Sequence, residues 1–66
     1  MPIGTSHIET GVLALEGRTL TLERDGGGRW RLDAPRRLWG LVGRRVRLSG
    51  TRSGFDWLAV DSFDLL

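Results

Sequence analysis

The sequence predicts an all-β domain, a small five-stranded barrel closed by one short helix. Apolar and polar residues alternate in Arg18 to Arg24, Arg29 to Asp33 and Arg44 to Gly50, the period-two signature of strands with one buried face. Helical spacing occurs in one place, with Leu38, Leu41 and Val42 at i, i+3 and i+4. A chain of 66 residues without cysteine has no disulfide or thiolate metal site to staple it, so a well-closed apolar core must hold it together.

Residues 1–66 are expected to form a single domain, with residues 1–7, which include Pro2 and Gly4 and show no period, as a loose N-terminal arm. From Ile8 to Glu16, the apolar run Val12 to Leu15 follows Gly11. A first strand that is buried on both faces, or that bends at Gly11 to serve two sheets, has this pattern. Glu16-Gly17 is a turn signal. The second strand sets Leu20 and Leu22 on one side and Thr19, Thr21 and Glu23 on the other. Asp25-Gly26-Gly27-Gly28 is the strongest turn signal in the chain, and the third strand follows with Trp30 and Leu32 opposed to Arg29, Arg31 and Asp33. Folding this hairpin places Glu23 beside Arg29 and Thr21 beside Arg31 on the outer face, with the apolar side chains toward the core.

Asp33 or Ala34 begins the helix, with Asp as the N-cap, Pro35 in the first turn and Gly43 as a left-handed stop. At about two turns it cannot stand alone and must plug something. Arg44 to Gly50 is the fourth strand, with Val46 and Leu48 inward, and Thr51 to Gly54 is a loop. The last strand is expected over Phe55 to Leu66. Within it Leu58 and Val60 share one phase and Phe63 and Leu65 the opposite one, which predicts a bulge or bend near Asp61-Ser62.

Three strands, a short helix and two strands is the order of the five-stranded OB-like Greek-key barrel, in which a helix between strands 3 and 4 caps one end. The SH3-like barrel usually places its helical turn before the last strand, one strand later than here. Two stretches, G-x-L-x-L-E-G at Gly11 to Gly17 and GRRVRLSGTRSGFDWLAVDSF at Gly43 to Phe63, resemble a bacterial family of short, Arg- and Gly-rich OB-like domains of unknown function. The resemblance covers most of the chain. Because it rests on structural glycines and barrel apolars, it implies the fold and transfers no activity.

Ten arginines, no lysine and eight acids give a net charge of +2. The charge is segregated: residues 1–28 hold two Arg against four acids (−2), residues 29–52 eight against one (+7), and residues 53–66 none against three (−3). On an OB-like barrel the usual ligand surface is the outer face of strands two and three with the loops after strands one and four. That face offers no aromatic, since Trp30 is in the inward phase. The better cluster is Arg36, Arg37, Arg44, Arg45, Arg47 and Arg52, with Trp39 and Trp57 as partly exposed aromatics, a combination of phosphate contact and base stacking. The expectation is a non-catalytic module for single-stranded DNA or RNA. A plainer reading makes the arginines a solvated face and the two tryptophans barrel-end plugs. The alternative function is protein interaction or self-association, with the basic fourth strand and acidic last strand complementary between subunits.

Other chemistries lack their residues. Gly26 to Gly28 precede a strand, without the helix N-terminus and lysine of a phosphate loop. Asp56, Asp61 and Asp64 do not have EF-hand order, and a single histidine makes no transition-metal set. His7 beside Ser6 has no third group to orient it, and so small a barrel leaves little room for a pocket of about 300 Å³ or more. No metal, cofactor or enzymatic activity is expected. The apolar runs fall short of the roughly 20 residues that cross a bilayer, and the opening residues lack signal-peptide order, so a cytoplasmic protein without membrane insertion is expected.

Overall fold

The computed structural model describes residues 4–66. Five strands, β1 (Ser6–Glu16), β2 (Thr19–Arg24), β3 (Arg29–Asp33), β4 (Arg45–Arg52) and β5 (Trp57–Leu65), are joined in chain order, with one helix, α1 (Arg36–Trp39), between β3 and β4. They close into a barrel in the order β1-β2-β3-β5-β4, and β4 returns to β1. Every ladder is antiparallel except β3 with β5. The architecture is the one expected: a five-stranded all-β barrel with its helix after the third strand.

Closure depends on β1 serving two neighbours. Residues 6–12 pair with β4 and residues 11–16 with β2, so the ladders overlap at Gly11, which faces both Arg24 and Val46. A Cβ at Gly11 would lie 1.9 Å from the Glu23 carbonyl oxygen, so β2 comes this close only because no side chain intervenes. The hairpin of β2 and β3 has the register expected from its turn, with Leu20 opposite Leu32 and Leu22 opposite Trp30. These four join Leu13, Leu38, Val46, Leu48 and Leu58 in one buried core.

The bulge of the last strand falls where the phase change places it. Ser49 pairs with Ser62 and Gly50 with Val60, which leaves Asp61 as the extra residue of β5. Phe63 thereby returns to the side of Leu58 and Val60, and both Val60 and Phe63 pack against the core.

Several expectations are corrected. Ser6 and His7, expected in a loose arm, open β1 opposite Thr51 and Gly50, while Gly4 and Thr5 exchange backbone hydrogen bonds with Arg52; Met1 to Ile3 lie outside the described residues. β4 extends through Thr51 and Arg52, which were expected in a loop, because both pair with β5. The helix is one turn, with Pro35 as its N-cap and no side-chain cap. Gly40 ends it early, glycine being about 1 kcal/mol less favourable than alanine inside a helix, and Gly43 makes the left-handed turn at φ 91°. Glu23 does stand opposite Arg29 in the hairpin, but the ion pair of Arg29 is made with Glu16 of β1. Thr21, expected outside, is buried and its hydroxyl donates to the Ala14 carbonyl at 3.3 Å. Among the described residues no helix is long and apolar enough to cross a membrane.

Candidate functional site

The turn after β1, the end of β3, the helix and the loop after β4 meet around a groove of about 430 Å³. Trp39 and Trp57 line it together with Arg18, Thr19, Asp33 and Ser53, over the buried Leu20 and Leu32. Both tryptophans are half-buried, as expected, and both face the same space. The volume exceeds what so short a barrel was expected to offer and lies within the range of ligand pockets, about 300–1,000 Å³.

Trp57 is fixed from the β3 side. Arg31 donates through Nε to Asp56 Oδ2 at 3.0 Å and through Nη2 to Asp56 Oδ1 at 2.7 Å, a bidentate clamp on the β4–β5 loop. Its guanidinium carbon lies 4.7 Å from the centre of the Trp57 ring, and its backbone N–H donates to the Asp56 carbonyl at 2.8 Å. The hydrogen bonds from Arg31 hold the Asp56 carboxyl below its usual 3.8 and raise the Arg31 guanidinium. A depressed carboxylate supports the fold fully above 3.8, and this support is lost as pH falls through the lower folded value. Nuclear magnetic resonance titration should therefore place the Asp56 midpoint below 3.8, and Arg31→Ala should bring it back toward that value.

The six arginines singled out in the sequence do not form one cluster. Arg45 and Arg52 stand at opposite ends of β4, about 23 Å apart at strand rise. Arg45 is paired with Asp25, whose carboxyl is lowered by that hydrogen bond. Arg52 donates from Nε to the Gly54 carbonyl at 2.9 Å and from Nη2 to the Phe55 carbonyl at 2.8 Å, and so shapes the loop. Arg37 lies over the Phe63 ring at 5.4 Å. Arg36, Arg44 and Arg47 are exposed and carry no ion pair among the described residues. Of all the sequence-selected residues, only Trp39 and Trp57 line the groove.

Sequence reasoning missed Arg18 and Phe55. Arg18 shares the phase of Leu20 and Leu22, but as a charged residue beside the turn glycine at the strand's edge it carries no signal of a ligand. The apolar pattern puts Phe55 at the start of the last strand, which in fact begins two residues later.

A second constellation lies on β1. Thr5, His7 and Glu9 alternate onto one side, with Thr5 Oγ1 3.0 Å from His7 Nε2 and His7 Nδ1 3.5 Å from Glu9. Glu9 is also paired with Arg24 at 3.0 Å, and the His7 ring lies 5.1 Å from that of Trp30. The order of hydroxyl, imidazole and carboxylate is that of a triad, but the second contact exceeds the 2.6–3.2 Å or so of a working relay. Neither the Trp39/Trp57 groove nor the smaller one between β4 and β5 includes any of the three. This row fastens the start of β1 beneath the hairpin.

A family model described as "Protein of unknown function (DUF5818)" matches residues 10–66. The chain belongs to this family. The DUF5818 span contains every arginine, both groove tryptophans and Phe55, and it begins beyond Thr5, His7 and Glu9. No curated protein and no solved structure matches the chain.

Proposed function

We propose that the domain is a non-catalytic, OB-like module that binds single-stranded DNA or RNA. One observation carries this reading: Trp39 and Trp57, eighteen positions apart in sequence, line one groove with Arg18, a cation that has no ion pair among the described residues. A base enters between the aromatics, where stacking contributes about 1–3 kcal/mol and does not depend on base identity. Arg18 and the helix arginines Arg36 and Arg37, beside Trp39, take the flanking phosphates, and Arg44 and Arg47 extend the positive surface around the barrel. The groove also lies between the loops after the first and fourth strands, the ligand side of OB-like barrels, which is support by analogy.

Titration of a labelled oligothymidylate over a salt series tests the proposal. Three or four phosphate contacts predict that log K falls with log salt at a slope of about −2 to −3. No binding at low salt would exclude this function. Self-association by strand addition has less support, because every strand of the ring has neighbours on both sides.

A further inference from the structure

Phe55, at the tip of the loop between β4 and β5, has 87% of its surface exposed, more than any other large apolar side chain among the described residues. A single exposed apolar residue is ordinary. The way this one is held is not. Arg52 grips the carbonyls of both Gly54 and Phe55, with its guanidinium carbon 5.8 Å from the ring centre. The Ser53 N–H donates to the Trp57 carbonyl at 2.9 Å and closes the loop at its base. The next residue, Asp56, is clamped by Arg31.

A slack loop would let the ring fold back onto neighbouring apolar surface. This loop is tied at its base, tip and far side, so the ring stays in water. A side chain whose backbone is ordered before its partner arrives loses less entropy on contact than one on a slack loop, which is how preorganised contacts raise affinity.

We infer that Phe55 is a stacking finger for an unpaired base, a second platform beside the one in the Trp39/Trp57 groove. This rests on the nucleic-acid reading and extends it: the ligand runs over the β4–β5 loop, and at least one of its bases must be unstacked. The neighbours favour a nucleobase over an apolar protein side chain. Arg52 is the cation beside the ring, the charge of Arg31 being met by Asp56, and Trp57, two residues on, adds a second aromatic surface. Duplex offers no free base faces here, so single strands are preferred.

The test is Phe55→Ala against wild type and Phe55→Tyr, with a labelled oligothymidylate of about 12 nucleotides and the matching duplex. Phe55→Ala should weaken single-strand binding by roughly 5- to 150-fold, with salt slope and melting temperature unchanged. Phe55→Tyr keeps the ring face and should restore binding, and duplex should bind weakly to all three. Unchanged affinity in Phe55→Ala would overturn the finger and leave nucleic-acid binding standing, whereas no binding by wild type would remove the reading beneath it. If sedimentation shows a ligand-free wild-type dimer that Phe55→Ala dissociates, the ring belongs to a contact between copies and the inference fails.

Discussion

Gly11→Ala is expected to leave the domain largely unfolded. The added methyl would meet the Glu23 carbonyl oxygen at 1.9 Å, its carbon at 2.7 Å and the Arg24 Cα at 3.0 Å. All three are backbone atoms, so no rotamer change relieves the overlap. β2 must move away, yet Gly11 is also paired with β4, and displacing β1 instead breaks the other ladder. The penalty is about 3–5 kcal/mol, at the upper end for a single substitution. A domain of this size has only about that much stability in total. Circular dichroism with urea titration should show the pre-transition baseline shortened or gone. A cooperative variant melting within a few degrees of wild type would mean that β1 and β2 do not approach this closely.

Leu38→Ala should have the next largest effect, a loss of about 2–5 kcal/mol. Leu38 is the helix's one buried residue and is wholly inaccessible. A four-residue helix has no stability of its own, so this side chain is its main attachment to the barrel. Its removal opens a cavity at the barrel end and loosens Trp39 beside it, which should shift tryptophan emission to the red at temperatures below the melting transition. Val42→Ala is the comparison. Val42 belongs to the same apolar stripe but is 39% exposed, and its truncation should change stability by no more than about 0.5 kcal/mol. Equal losses for the two would show that Leu38 is not the plug.

The barrel was legible where side-chain phase carries the information. Alternation around the glycine turn places Leu22 opposite Trp30, and the phase reversal between Val60 and Phe63 locates the extra residue at Asp61. Pairing of Ser6 and His7 was not legible, because backbone groups alone make those bonds and any residue supplies them. The helix was overestimated because its apolar spacing ran through Gly40, where propensity outweighed pattern. The site was harder to foresee than the fold. Trp39 and Trp57 were identifiable as aromatics out of phase with the core, but Arg18 and Asp33 join them through the parallel pairing of β3 with β5, which no local pattern encodes. The arginines misled because sequence proximity suggested a cluster, whereas β4 carries Arg45 and Arg52 to separate ends and the fold gives several of them acids or carbonyls to hold.

The parallel ladder has only three residue pairs, Arg31 with Trp57, Leu32 with Leu58 and Asp33 with Ala59, the fewest of any joint in the ring. In a staved cask the narrowest joint is the one that leaks, and this is where the cylinder is expected to open first once the Arg31–Asp56 clamp is released. The groove straddles that joint, with Asp33 on one stave and Trp57 on the other. An occupant seated there acts as a hoop, and its affinity reappears as resistance of the whole cylinder to springing open.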